Sequence, residues 1–162
     1  MPTLYILCGV PGCGKSTFAT KITTHYYEKD IRYVSRDDIR FSILKDGEEY
    51  FSHEKEVFKK FANTITQILV DGFDVIADAT HLNKFSRAKL LNAIGDNVAY
   101  KVIFIYFDTP LRECFRRNSL REQNKIVPED VICKMWNSFE VPSIYENKKC
   151  IGTLMVRSDS SE

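Results

Sequence analysis

Residues 9–17 read Gly-Val-Pro-Gly-Cys-Gly-Lys-Ser-Thr and fill every fixed position of the pattern G-x-x-x-x-G-K-[ST]. No other stretch narrows the fold so far. The glycines let the backbone turn several N–H groups toward one point, and such a nest holds phosphate oxygens. A helix starting at the end of the loop adds its positive N-terminal end to the same anion. The loop therefore needs a buried strand before it and a helix after it. Both flanks agree. Thr3 to Cys8 is a short apolar run that reads as a buried strand, and Phe18, Ala19 and Ile22 keep helical spacing through to about Glu28. Gly9, Gly12, Cys13, Gly14, Lys15, Ser16 and Thr17 are thus expected to hold a nucleotide. Lys15 would reach the β- and γ-phosphates, and the Ser16 hydroxyl would sit on Mg²⁺.

The rest of the chain repeats the strand-then-helix alternation. Ile31–Ser35 is β-rich, and Asp37 or Asp38 is placed to cap the helix that follows. Val57, Phe58, Phe61, Ile65, Ile68 and Leu69 recur at three and four residues, so 53–70 predicts an amphipathic helix stopped by Asp71-Gly72. Asp74–Asp78 and Tyr100–Phe107 read as strands, and Asn83 opens a helix closed by Gly95. Thr109-Pro110 reads as an N-cap and first-turn pair for a helix running to Gln123. Pro128-Glu129-Asp130 starts another helix, and 151–156 predicts a last strand. About five strands alternating with helices predict an α/β fold: a P-loop NTPase three-layer sandwich, its parallel sheet covered on both faces. In such folds ligands bind beyond the C-terminal strand ends. No linker divides the chain, so residues 1–157 are expected to form one domain and the polar tail 158–162 to be disordered.

Composition limits the function classes. With 162 residues and a net charge of +1, the chain has no field for wrapping a long duplex, although gripping one strand end needs none. No apolar run approaches the roughly 20 residues that span a bilayer, so no membrane partner is expected. The start carries no cleavage signal, and the five cysteines, at 8, 13, 114, 133 and 150, form no C-x-x-C pair. Together these point to reduced thiols in a cytoplasmic protein. Cys13 reads as a small residue at a variable loop position.

Four further segments bear chemistry. Asp78 closes a strand, where a carboxylate supports the Mg²⁺ opposite the loop serine; a turn aspartate is the plain alternative. Asp37 and Arg40 are three apart and share a helical face. The aspartate could take a proton from an acceptor hydroxyl and the arginine could hold an acceptor phosphate bidentately, or they are a cap and a solvated cation. Arg112, Arg116, Arg117 and Arg121 crowd one predicted helix, as in a lid over transferred phosphate or in an ordinary solvated face, with Leu111 and Phe115 turned to the body. His25, His53 and His81 lack metal-ligand spacing, and His81 lies where it could touch substrate. Trp136 and the tyrosines read as core or surface anchors.

Taken together, four stretches resemble the polynucleotide 5′-hydroxyl kinase family: 9–17, Ser35-Arg36-Asp37-Asp38-Ile39-Arg40, Asp78-Ala79-Thr80-His81-Leu82-Asn83, and Arg117-Asn118-Ser119-Leu120-Arg121 with Val127-Pro128 behind. The resemblance spans most of the chain. It implies ATP and Mg²⁺ as cofactors and a 5′-hydroxyl nucleic acid end as acceptor. It further implies Lys15, Asp37, Arg40 and Arg121 as catalytic residues: Asp37 as general base, Arg40 on the acceptor phosphate, Arg121 on the transferred phosphoryl, with Arg117 near the nucleotide. Similar kinases act on tRNA-linked serine or small nucleosides. Nucleotide-gated accessory proteins form a third class.

Overall fold

The computed structural model describes residues 1–25 and 30–157. The expected tail, 158–162, and the expected end of the first helix near Glu28 lie outside these residues. Five strands form one sheet: β1 (Thr3–Cys8), β2 (Ile31–Ser35), β3 (Asp74–Asp78), β4 (Lys101–Asp108) and β5 (Cys150–Arg157). Their spatial order is β2-β3-β1-β4-β5, and each neighbouring pair is parallel. Central β1 and β3 are buried almost throughout, while the edge strands β2 and β5 alternate between covered and open positions. That contrast explains why the central strands read as continuous apolar runs.

Helices cover both faces. On one, Phe61, Ile65 and Leu69 of α3 (Glu54–Val70) and Leu90, Leu91 and Ile94 of α4 (Lys84–Ile94) pack on Leu4, Ile6, Val75, Val102 and Phe104. On the other, Phe18, Ala19 and Ile22 of α1 (Lys15–His25) meet Leu7, Ile76 and Ile105. Phe61 is fully buried, and truncating such a side chain to alanine costs about 3–5 kcal/mol. A third cluster joins Val10 and Cys13 of the phosphate loop to Cys114 of α5 (Leu111–Ser119) and Ile132 of α6 (Glu129–Ser138). Leu111 and Phe115 pack against this cluster, so the apolar side of α5 faces the body as expected. Among the described residues, no helix is long and apolar enough to cross a membrane.

Three local expectations need correction. The cap of α2 (Arg36–Ile43) is Ser35, whose hydroxyl accepts from the Asp38 N–H at 3.2 Å; Asp37 and Asp38 sit in the first turn instead. Thr109 does not cap α5, because its hydroxyl donates to the Cys13 carbonyl at 2.8 Å and ties β4 to the phosphate loop. The fifth helix stops at Ser119, four residues short of the expected end, so Arg121 lies beyond it and shares no helical face with Arg117.

Candidate active site

The phosphate loop sits at the C-terminal end of β1 and runs straight into α1. Gly12 has φ +83° and Gly14 φ +108°, a region that side chains rarely adopt. A Cβ at Gly12 would also run into the backbone carbonyl of Cys114. These glycines are therefore required by the loop's path. Gly9 donates its N–H to the Thr80 carbonyl at 2.9 Å, which pins the loop to the end of β3. The Lys15 ammonium spans the loop, donating to the carbonyls of Gly9 at 2.8 Å and Val10 at 3.0 Å. Cys13 is buried beneath, and burial raises its thiol pKa, so it packs as a small apolar residue. Ser16 and Thr17 open α1 on the solvent side.

Asp78 ends β3 beside β1, in register with Leu7. The Ser16 hydroxyl donates to its carboxylate at 3.1 Å, and so does the phenol of Tyr33. Burial, then the Asp78 charge, raises the Tyr33 pKa, keeping the phenol a donor. A hydroxyl and a carboxylate facing each other at the phosphate loop suit Mg²⁺, which takes one or two protein oxygens and completes its shell with waters and substrate phosphates. The described residues hold no cluster of three or more His, Cys, Asp or Glu side chains suited to a metal, and such a site needs none.

A second constellation forms at the end of β2. Asp37 accepts from Arg40, from the Tyr50 phenol at 2.5 Å and from Arg121 at 3.3 Å. Arg40 is 5% exposed, and its bidentate partner is Glu54 of α3, at 2.7 and 3.1 Å. Its remaining bonds go to Asp37 and, at 2.8 Å, to the Tyr50 oxygen. Four of the five guanidinium donors are thus engaged inside the protein. The structure gives Arg40 a carboxylate of its own chain as its fork partner, leaving one N–H for anything else. Burial, then the Asp37 charge, raises the Tyr50 pKa, so this phenol also stays protonated.

The segment after β4 approaches both constellations. Arg117 places its guanidinium beside Gly14, where an added Cβ would lie 3.1 Å from Nη1, and it bonds Glu113 at 3.0 Å. Glu113 also holds Arg116 at 2.5 Å, and that bond is the first cause lowering its pKa to about 2. Arg116 is therefore occupied on α5, and Arg112 is exposed. Arg121 reaches across to Asp37. Of the four arginines expected in a lid, the structure brings two to the site, Arg117 on the loop side and Arg121 on the Asp37 side.

His81 is turned into the protein. It is 5% exposed, and its Nδ1–H donates to the Leu7 carbonyl at 2.7 Å. Burial is the main cause lowering its pKa to about 4. It bolts the segment after β3 onto β1, one residue before the strand ends. The fully buried Arg87 reinforces that segment, donating to the His81 carbonyl at 2.8 Å and forking onto Glu146 at 2.8 and 3.1 Å.

Sequence reasoning missed Tyr33, Tyr50, Glu54, Thr109 and the Arg87–Glu146 pair. Each acts through a contact distant in sequence, for which no local pattern exists. The Ser35 cap did have a signal, since Ser35-Arg36-Asp37-Asp38 places a serine three residues before an acid.

Sequence comparison bears on this geometry. The profile of an AAA-domain family matches residues 4–142. The chain belongs to this AAA-domain family. Its fold is the P-loop kinase variety of the α/β P-loop NTPases. The chain is 32% identical over 143 residues to the L-seryl-tRNA(Sec) kinase of Methanococcus maripaludis, covering 86% of this chain and 53% of that one. The chain thus spans about half the length of that curated relative. Among solved structures, a chain of the Pnkp1/Rnl/Hen1 RNA repair complex is 28% identical, with a TM-score of 0.71 over 85% of this chain and 43% of that chain. Chaetomium thermophilum Kti12 in complex with ADP-AlF3 superimposes with a TM-score of 0.72 over 96% of this chain and 89% of its own, at 14% identity. That last likeness concerns the fold.

Proposed function

We propose that this AAA domain is a kinase that transfers the γ-phosphoryl of ATP to the 5′-hydroxyl of an RNA or DNA end. The observation that carries the reading is the Asp37 carboxylate, held by Arg40 and Tyr50 and linked by Arg121 to the segment whose Arg117 lies over the phosphate loop. A carboxylate fixed in this way can accept a hydroxyl proton, and a protein that only binds nucleotide has no need of it.

Phosphoryl transfer asks for in-line positioning and charge stabilisation more than for covalent chemistry. In this reading the loop N–H groups and Lys15 hold the β- and γ-phosphates. Ser16 and Asp78 would hold Mg²⁺, which when bound would supply positive charge against the phosphates. Asp37 takes the proton of the attacking hydroxyl. Arg121 moves its N–H donors between Asp37 and the transferred phosphoryl, and Arg117 neutralises charge beside Gly14. Arg40, four of its five donors taken by Glu54, Asp37 and Tyr50, positions the base and keeps its last N–H for the acceptor. ATP and Mg²⁺ are then substrate and cofactor.

A second reading has direct support, since the relative that is 32% identical carries the name of a seryl-tRNA kinase. The acceptor hydroxyl would then belong to tRNA-linked serine, with Asp37 in the same role. Incubation with γ-labelled ATP and a panel of 5′-hydroxyl oligonucleotides, seryl-tRNA and free nucleosides separates the readings. Label on the oligonucleotides is expected. Label only on seryl-tRNA would replace the first reading with the second, and release only as inorganic phosphate would oppose both.

A further inference from the structure

The connection between α2 and α3 lines the Asp37 side of the site with aromatic rings. Tyr50, bonded to Asp37, meets Phe41 edge-on at 6.0 Å between centroids and Phe51 at 4.6 Å. The Arg40 guanidinium lies 4.3 Å from the Tyr50 centroid and 5.7 Å from that of Phe51. Tyr50 is committed to these internal contacts. Phe51 touches them on one side and leaves 60% of its surface exposed, bordering an open depression of about 410 Å³ lined by residues 51–56. From the segment after α5, Lys125 brings its ammonium 5.6 Å from the Phe41 centroid. An exposed ring interleaved with cations beside a candidate base is the composition with which proteins hold single-stranded nucleic acid, where bases stack on aromatic faces and cations follow the backbone.

We propose that Phe51 is the platform on which the terminal nucleobase of the acceptor strand stacks, setting its 5′-hydroxyl against Asp37. The inference rests on the polynucleotide kinase reading and deepens it by naming an acceptor subsite. Every base has a π face, so the platform accepts all four bases and selects a nucleoside end over a bare sugar or an amino-acid side chain. Lys125 supplies charge for the first phosphate of that strand.

The test compares two acceptors with the full chain: a 5′-hydroxyl oligonucleotide, and the same strand with an abasic 5′-terminal residue that keeps its hydroxyl and phosphate. Acceptor KM, kcat and ATP KM are measured for wild type, Phe51→Ala and Phe51→Trp. Removing the ring and removing the base should each raise the acceptor KM about tenfold, within the roughly five- to hundredfold span of one base–aromatic stack. Combining them should cost no more than either alone, the signature of one shared contact. Tryptophan should restore the intact strand's KM, and ATP KM should stay put throughout. An unchanged KM for Phe51→Ala, or equal increases on intact and abasic strands, overturns the subsite while transfer by wild type continues. Wild type that labels neither strand removes the polynucleotide kinase reading and the subsite with it.

Discussion

Replacing His81 by asparagine should remove a defined part of the protein's acid sensitivity. His81 is neutral and buried, with a pKa lowered from 6.5 to about 4, chiefly by burial. The unfolded chain therefore binds a proton that the folded chain refuses between those values. The stabilising contribution is fully present above pH 6.5, fades as pH falls through the window, and is spent below about pH 4, where both states are protonated. The shift corresponds to about 1.4 kcal/mol lost by pH 5.5 and about 3 kcal/mol by pH 4. Asparagine suits the test because His81 has φ 41°, and asparagine tolerates that backbone region. Its amide can also donate to the Leu7 carbonyl. The assay is urea unfolding of both proteins from pH 7.5 to pH 4.5. The variant starts less stable, having lost packing against Phe61, but its stability should fall less steeply by about 2–3 kcal/mol across the range. Parallel pH profiles would refute the assignment of that acid sensitivity to His81.

Other perturbations address separate parts of the account. Glu146→Gln weakens the fork under the fully buried Arg87 and should destabilise the fold by about 3–5 kcal/mol, read as a lower urea midpoint with an unchanged slope. Lys15→Ala should abolish binding of a fluorescent ATP analogue while the melting temperature moves little, because Lys15 spans the loop rather than filling the core. Arg121→Ala should lower kcat more than it raises ATP KM, with lysine a poor substitute for the planar fork; a change in salt sensitivity alone would make it a surface arginine.

The sheet and the phosphate loop were legible because local rules govern them. β1 and β3 lie in the sheet interior and read as apolar runs, and the periodicity of α3 locates Val57, Phe61, Ile65 and Leu69, all buried. The Asn83 and Gly95 boundaries of α4 held because capping is a matter of adjacent residues. What stayed hidden was tertiary. Nothing near Glu54 announces that it takes the fork of Arg40, fourteen residues earlier, and nothing near Thr109 announces a bond to Cys13. The arginine run after β4 suggests one long helix with Arg117 and Arg121 on one face and Arg112 and Arg116 on another. The end of α5 at Ser119 instead sends Arg117 and Arg121 to different sides of the site. His81 sits in a chemistry-bearing segment, and only its burial reveals a structural role.

The central claim is that Asp37 removes the acceptor proton, and the direct measurement is the single-turnover rate of Asp37→Asn on a 5′-hydroxyl oligonucleotide. The substitution keeps the shape and an accepting oxygen for Arg40 and Tyr50, which share Oδ1, turns an NH2 toward Arg121 in place of Oδ2, and leaves the Ser35 cap untouched. The account predicts a rate lower by about 10²–10⁴, with ATP affinity and melting temperature close to wild type. A variant that transfers phosphate at the wild-type rate would contradict it.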